Sequence, residues 1–466
     1  MRRLSLGRKN SGLRARRWDA IVLGGALPGL VAAARLGQRG HRVLVVEEEA
    51  AARLPASVCD PFFLGPPGGD GVVDACLAAL KIGLRDRRRI EADGITYQMV
   101  SQDARIDVGS PLRTARELVS WGLAKPEKAR DIVTNLAEAA RGQLGALLDA
   151  PLVRRSGLRG LSRARATGSS EPRRSDLPDL GFLEDPALRD FFSRQVEALS
   201  QVTGRALPTA ARARLLGAAL LGGGSFSSSE VTLRRLLRRR VEELHGELRT
   251  VRGFELVVVE PHPGIAMPSS REVWLGRVLV LNAPLGLVGA ALREQEQPLP
   301  PFLEAPPPAR RRVTLDLRCE PDVVPEGMAR RVIAASPAPD GGTRVVAIAR
   351  WPGRAAHDPI QLVARMGIGA GDDPEEARDA IVSTVRELMP FSEGRLLQRE
   401  HPQPRWDDSE AVSEADPGST WPPEVDLRLS SRPPVYGIPR EPLGALGTEG
   451  DVLIGWRAGD AISEDL

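Results

Sequence analysis

Aromatic side chains are scarce here: 4 % of 466 residues, with only two tyrosines. That argues against a site walled by paired aromatic rings; Trp351, Trp406, Trp421 and Trp456 are candidates to line a substrate cavity, although packing is the commoner role. The three cysteines, Cys59, Cys76 and Cys319, are far apart and form no C-x-x-C pair. A disulfide framework, a zinc site and an iron–sulfur cluster are therefore unsupported. The five histidines are scattered, without an H-x-x-x-H pair, and no G-x-S-x-G elbow occurs. No apolar run approaches the 18 residues or so of a membrane-spanning helix, so a cytoplasmic location is expected, with peripheral membrane contact as an alternative. One-signed charge is lacking too. The formal net charge is +3, although the pI is near 9.0, so nucleic acid is not an expected partner. Arginine runs reflect an Arg-, Ala-, Gly- and Pro-rich composition more than a function.

What the chain does have lies near its start. Residues Ala20–Leu23 form a short apolar strand that runs into the glycines Gly24, Gly25 and Gly29. A small-residue helix follows, then a second apolar strand, Val43–Val46, ending in Glu47. This is the βαβ dinucleotide-binding plan. Its turn aims a helix N-terminus, with unpaired N–H groups and a positive dipole end, at a pyrophosphate. The acid closing the second strand accepts hydrogen bonds from a ribose. In the G-x-G-x-x-G pattern the first and third glycines are Gly24 and Gly29, while Ala26 stands in the second place. Pro28 suits a first helical turn. Glu47 falls 23 positions after Gly24, near the expected spacing of about 20.

The length suggests about two or three domains. Residues 1–17 read as a disordered basic leader and 151–181, rich in Arg, Ser, Gly and Pro, as a mobile loop. Helical patterns cover 73–82, 111–150, 186–200, 208–221, 230–245 and 374–388, and strands are expected at 94–108, 247–249, 254–259, 272–274, 278–281, 312–317, 330–335, 343–349 and 452–454. Ser225–Ser229 supplies turn and capping residues before the helix at 230–245.

Three segments together resemble the FAD-dependent oxidoreductases of the phytoene desaturase and flavin amine oxidase superfamily. They are the βαβ unit, the helix–Gly–strand run of 231–284 ending in Asn282-Ala283-Pro284, and Asp451-Val-Leu-Ile-Gly-Trp-Arg-Ala-Gly-Asp-Ala461. The carotenoid-desaturase branch looks closest. The resemblance implies an α/β fold: a Rossmann-like FAD-binding domain (18–110, 230–300 and 430–466) plus an interleaved α+β substrate domain (111–229 and 301–429). It implies that Gly24, Gly25, Ala26 and Gly29 face the FAD pyrophosphate, that Glu47 holds the adenosine ribose, and that Phe254 borders the adenine through its backbone. Gly459 and Asp460 would approach the flavin, and Arg53 would stand for a phosphate partner. It further implies hydride transfer from an apolar small-molecule substrate to flavin, with chemistry that belongs to the cofactor. Three departures accompany it. Ala26 replaces a glycine. Ala51-Ala52-Arg53 stands where the family carries Gly-Gly-Arg. Only Ala461–Leu466 remain after Gly-Asp, where the family continues into a long helix over the flavin. These departures keep an alternative open: a degenerate, non-catalytic relative acting in protein–protein contact, or a subunit whose partner or second copy completes the site.

Overall fold

The computed structural model describes residues 1–3, 14–154, 180–201, 207–226, 231–267, 272–337, 342–351, 353, 355, 357–412 and 421–466. Most of the loop expected at 151–181, part of the basic leader, and Ser227–Ser229 lie outside the described residues. Arg14–Arg17 are not leader: they begin the first long strand, opposite Glu272–Leu275.

In chain order, the elements that position the site are β1 (Arg14–Leu23), α1 (Leu27–Gln38), β2 (Val43–Glu48), the hairpin β3 (Ile95–Val100) and β4 (Arg105–Gly109), α2 (Pro126–Asp149) and α3 (Thr209–Leu221). Then come α4 (Leu233–Glu243), β5 (Glu247–Val251), β6 (Glu255–Val259), β7 (His262–Ala266), β8 (Glu272–Leu281), β9 (Arg310–Cys319), β10 (Arg331–Pro337), β11 (Thr343–Trp351) and β12 (Ile360–Gly369). β13 (Pro434–Gly437) and α5 (Thr448–Asp465) close the chain.

The heart of the first sheet runs β13–β8–β1–β2–β5, every pairing parallel. Taken in chain order, that is the 3-2-1-4-5 order of a doubly wound dinucleotide fold, with its switch point between β1 and β8. β6 and β7 form an antiparallel ribbon on β8. Alternate residues of β1 and β2 serve opposite faces. Ala20, Val22, Val43 and Val45 pack against α1 and α5, while Ile21, Leu23, Leu44 and Val46 pack against Phe254, Leu279 and Trp406. The second sheet contains β9–β12–β11–β10–β3–β4. The hairpin β3–β4 joins β10 of this second sheet rather than the dinucleotide domain expected to hold it.

The C-terminus corrects the sequence reading. Val452–Ile454 is not a strand but the middle of α5, and the closing parallel strand is β13, beside β8. The long helix that the resemblance demands is therefore present, as α5 itself. It lies along α1 through glycines: a Cβ on Gly455 would meet Pro28 Cα at 2.8 Å, and one on Gly459 would meet Arg35 Cβ at 2.7 Å. Gly455→Val is expected to force the two helices apart, at a cost of about 1–3 kcal/mol. Urea unfolding should show a lowered midpoint at unchanged slope; an unchanged midpoint would mean the two helices are not held this close.

Candidate functional site

The fingerprint forms as its residues dictate. Gly24 adopts φ +111°, open to glycine, as the chain turns out of β1. Asn282, at the end of β8, spans the switch point: its Nδ2 donates to the carbonyls of Gly24 (3.2 Å) and Ala26 (3.1 Å). Gly29 packs directly on that Asn282 amide, leaving no room for a side chain. Ala26 is the N-cap of α1 and supplies no side-chain cap.

The place that this helix terminus offers to a phosphate holds a carboxyl group of the chain itself. The Asp407 carboxylate accepts the Gly25 N–H through both oxygens, at 3.0 Å each, and the Glu48 N–H at 3.3 Å. Glu48 returns the contact: its carboxylate accepts the backbone N–H groups of Arg405, Trp406 and Asp407 at 2.9–3.1 Å. Residues 405–407 are thus stitched across the C-terminal edge of β1 and β2. The Trp406 indole is 1 % exposed and meets the Phe254 ring edge-to-face, centroids 4.9 Å apart. Where the resemblance places an adenine beside Phe254, this chain places its own tryptophan.

Glu47 is committed as well. It is fully buried, and its carboxylate pairs with Arg234 (3.3 Å) and with Arg238, both on α4. Asp60 caps α4 from outside, accepting the Leu233 N–H at 2.9 Å. Burial pushes the Asp407 carboxyl up to about 7, against the pull of Arg234, and the Glu47 charge pushes it further; burial also lifts Asp60 to about 7, against its backbone contact with Arg234 and the charge of Arg365.

The remaining expected site residues fall elsewhere. Asp460 lies on α5 and pairs with Arg35 (2.8 Å) and Arg39 (2.9 Å) in the last turn of α1, at the end opposite the fingerprint. Gly459 packs on α1 beside it. Neither approaches the cleft, because the Gly-Asp pair sits late in a helix rather than after a strand. Arg53 is an exposed partner of Glu49. Phe254 is fully buried, and its carbonyl accepts from Gln297 Nε2 at 2.9 Å.

Sequence reading missed Asp407, Arg234 and Arg238 as site residues, and it weighed Trp406 only as a lining of a substrate cavity or as packing. The only signal was an i, i+4 arginine pair on a helix leading into β5, and such pairs usually mark a solvated face.

Between the two sheets, next to the N-termini of α1 and α5, lies a cavity of about 60 Å³ lined by Gly25, Ala26 and Asp407 on one side and Arg312, Arg365 and Arg440 on the other. None of Trp351, Trp406, Trp421 and Trp456 lines it. Glu449 and Asp451, in the first turn of α5, are held by Arg214 (2.6 Å) and Arg440 (2.6 Å).

Over its whole length the chain resembles solved structures. A variant of putrescine oxidase redesigned for cofactor binding superposes with a TM-score of 0.54 at 11 % identity, over 97 % of this chain and 100 % of that one. Putrescine oxidase bound to putrescine gives 0.52 at 12 %, over 96 % and 99 %. The fold is that of the flavin amine oxidases. A Pyrococcus furiosus protein shares it too, with a TM-score of 0.52 at 15 % identity, over 96 % and 97 % of the two chains. No protein-family model and no curated protein sequence matches the chain.

FAD, the cofactor that the resemblance implies, does not fit the residues as they stand. The Gly25 N–H faces a carboxylate instead of a phosphate, Glu47 is neutralised by two arginines, and an indole fills the place beside Phe254.

Proposed function

We propose that this chain keeps the flavin-oxidoreductase fold but not its cofactor. Its dinucleotide cleft is closed from within, and the protein is a non-catalytic relative that works by binding, through contact with another protein or as a subunit. One observation carries the reading: Trp406 and Asp407 take the positions of a base and a phosphate in the cleft, and Glu48 holds them there. A location in the cytoplasm belongs to the same proposal.

The second reading is an FAD-dependent oxidoreductase, phytoene desaturase-like, acting on an apolar substrate. The parallel 3-2-1-4-5 sheet and α5 along α1 favour it. It requires residues 405–407 to leave the cleft and Glu47 to give up both arginines, each at the cost of stranding buried charge. It would also place an apolar substrate beside Arg312 and Arg365.

The test is the visible spectrum of the purified protein before and after incubation with excess FAD, followed by heat release and identification of any dinucleotide. The closed cleft predicts a colourless protein that retains no FAD. Near-stoichiometric FAD would overturn that and establish the oxidoreductase reading. In that case Gly24→Val and Glu47→Ala should each abolish flavin retention.

A further inference from the structure

Strands β9 and β12 run antiparallel with Arg312 opposite Gly367 and Thr314 opposite Arg365. Arg312 and Arg365 are therefore diagonal neighbours on one face of the second sheet. Over Gly367, beside Arg312, lies the Arg310 guanidinium, whose Nη2 would stand 2.8 Å from a Cβ at that position. Arg312 and Arg365 both line the cavity at the sheet–sheet junction, and Arg440 lines it too. A smaller cavity continues past Arg312 along Arg310 and Arg311.

Four carboxylates also line the cavity, Asp407, Glu410, Glu449 and Asp451, and none of them lies within ion-pair distance of Arg365. Asp451 is taken by Arg440 through both oxygens, and Glu449 by Arg214 in the same way. Among the described residues Arg312 has one carboxylate within ion-pair distance, Glu410 at 3.8 Å, and its Nη2 donates to the Ser200 carbonyl at 2.5 Å. Arg365 is 5 % exposed and, among the described residues, has no carboxylate within ion-pair distance. Its Nη2 donates to the carbonyls of Val58 (2.7 Å) and Asp60 (2.5 Å), and its Nε is buried without a partner. Arg310, Arg365 and Arg440 crowd Arg312 with like charge. A buried guanidinium without a counter-charge is costly. Phe62, Leu199 and Leu446 supply an apolar wall across the same space.

We propose that this cavity is a binding site for a small molecule with an anionic head, carboxylate or phosphate, and a short apolar body. Arg365 and Arg312 take the head, as guanidinium groups do by paired N–H donors. The body lies on Phe62 and Leu446. The cavity, of about 60 Å³, has room for a group larger than one water beside the two arginines. The inference stands beside the closed-cleft reading and does not depend on it.

The experiment is calorimetric titration of the full chain, in a buffer free of other oxyanions, with inorganic phosphate, benzoate and neutral benzamide. Benzoate or phosphate should bind and benzamide should not. Benzoate alone would identify a carboxylate on an apolar body, and phosphate alone a phosphate-bearing ligand. Arg365→Gln and Arg312→Gln should each weaken binding at least tenfold. Ala198→Phe, which puts a ring on the cavity wall and keeps both arginines in the chain, should abolish it and serves where an arginine variant fails to fold. Three results would each overturn the proposal: no anion binding to the wild-type chain, equal binding of benzamide, or unchanged affinity in the folded variants. FAD uptake measured on the same preparation reports separately on the cleft.

Discussion

Replacing Glu449 with Ala is expected to destabilise the protein by about 3–5 kcal/mol, the largest effect of any single substitution argued here. Arg214 is fully buried on α3, and Glu449 opens α5. They meet through two parallel bonds, Nε to Oε2 at 2.8 Å and Nη2 to Oε1 at 2.6 Å. Arg214 also donates to the carbonyls of Ala140 on α2 (2.5 Å) and Asp70 (3.1 Å). Glu449 accepts the Val72 N–H at 3.3 Å. One ion pair thus joins α2, α3, α5 and the loop before the helix Val72–Ala79. Removing the acid strands a guanidinium that no solvent reaches. The reverse holds for removing both charges. Arg214→Met with Glu449→Leu should recover most of the loss, because a well-packed apolar pair escapes the desolvation cost. Urea unfolding of the two single variants and the double variant closes the cycle. A double variant as unstable as Glu449→Ala would show that the hydrogen bonds to Ala140 and Asp70, not the charge pair, hold these helices.

The βαβ start was legible because its demands are local. Gly24 needs a positive φ, Gly29 needs contact without a side chain, and two apolar strands flank a small-residue helix. Asn282-Ala283-Pro284 was noticed in the sequence as a mark of the strand end; its role, tying β8 to the fingerprint through Asn282, emerges only in three dimensions. The C-terminus misled for a physical reason. Val452-Leu-Ile454 is a short apolar run, and such a run reads as strand or buried helix equally well. It is apolar all round because α5 is buried, with α1 on one side. The true closing strand, β13, begins with Pro434 and is flanked by Pro433 and Pro439, which disguise it. β12 escaped notice as well, since Arg365 interrupts its apolar pattern. The contents of the cleft were illegible for a different reason. Asp407 lies 382 residues from Gly25, and Arg234 lies 187 from Glu47. A carboxylate that replaces a ligand carries no local pattern.

That replacement makes a second large effect measurable. Asp407 is fully buried, and its carboxyl is pushed up to about 7, chiefly by burial; Arg234 opposes this, and Glu47 adds to it. An ordinary Asp loses its proton near 3.9. Between those two values the folded chain holds a proton that the unfolded chain has released. Stability therefore falls as pH rises from about 4 to about 7, and the loss is complete above that. Asp60 titrates in the same window and with the same sign. Asp407→Asn mimics the protonated acid: its amide oxygen still accepts the Gly25 N–H, and it carries no charge to bury beside Glu47. Near pH 4, before the unfolded chain releases this proton, the variant and the wild-type chain should be about equally stable. At pH 8 the variant should be the more stable, by about 1.4 kcal/mol for each unit of the shift that is realised. Urea midpoints at the two pH values decide the matter, with Asp60 leaving a residual slope in both proteins. Identical slopes would mean that Asp407 holds its proton no more tightly in the folded chain than in the unfolded one, so that the N–H groups of Gly25 and Glu48 offset the cost of burying its charge. A wild-type chain that gains stability on the variant as pH rises would show the carboxylate held as an anion, as a phosphate would be.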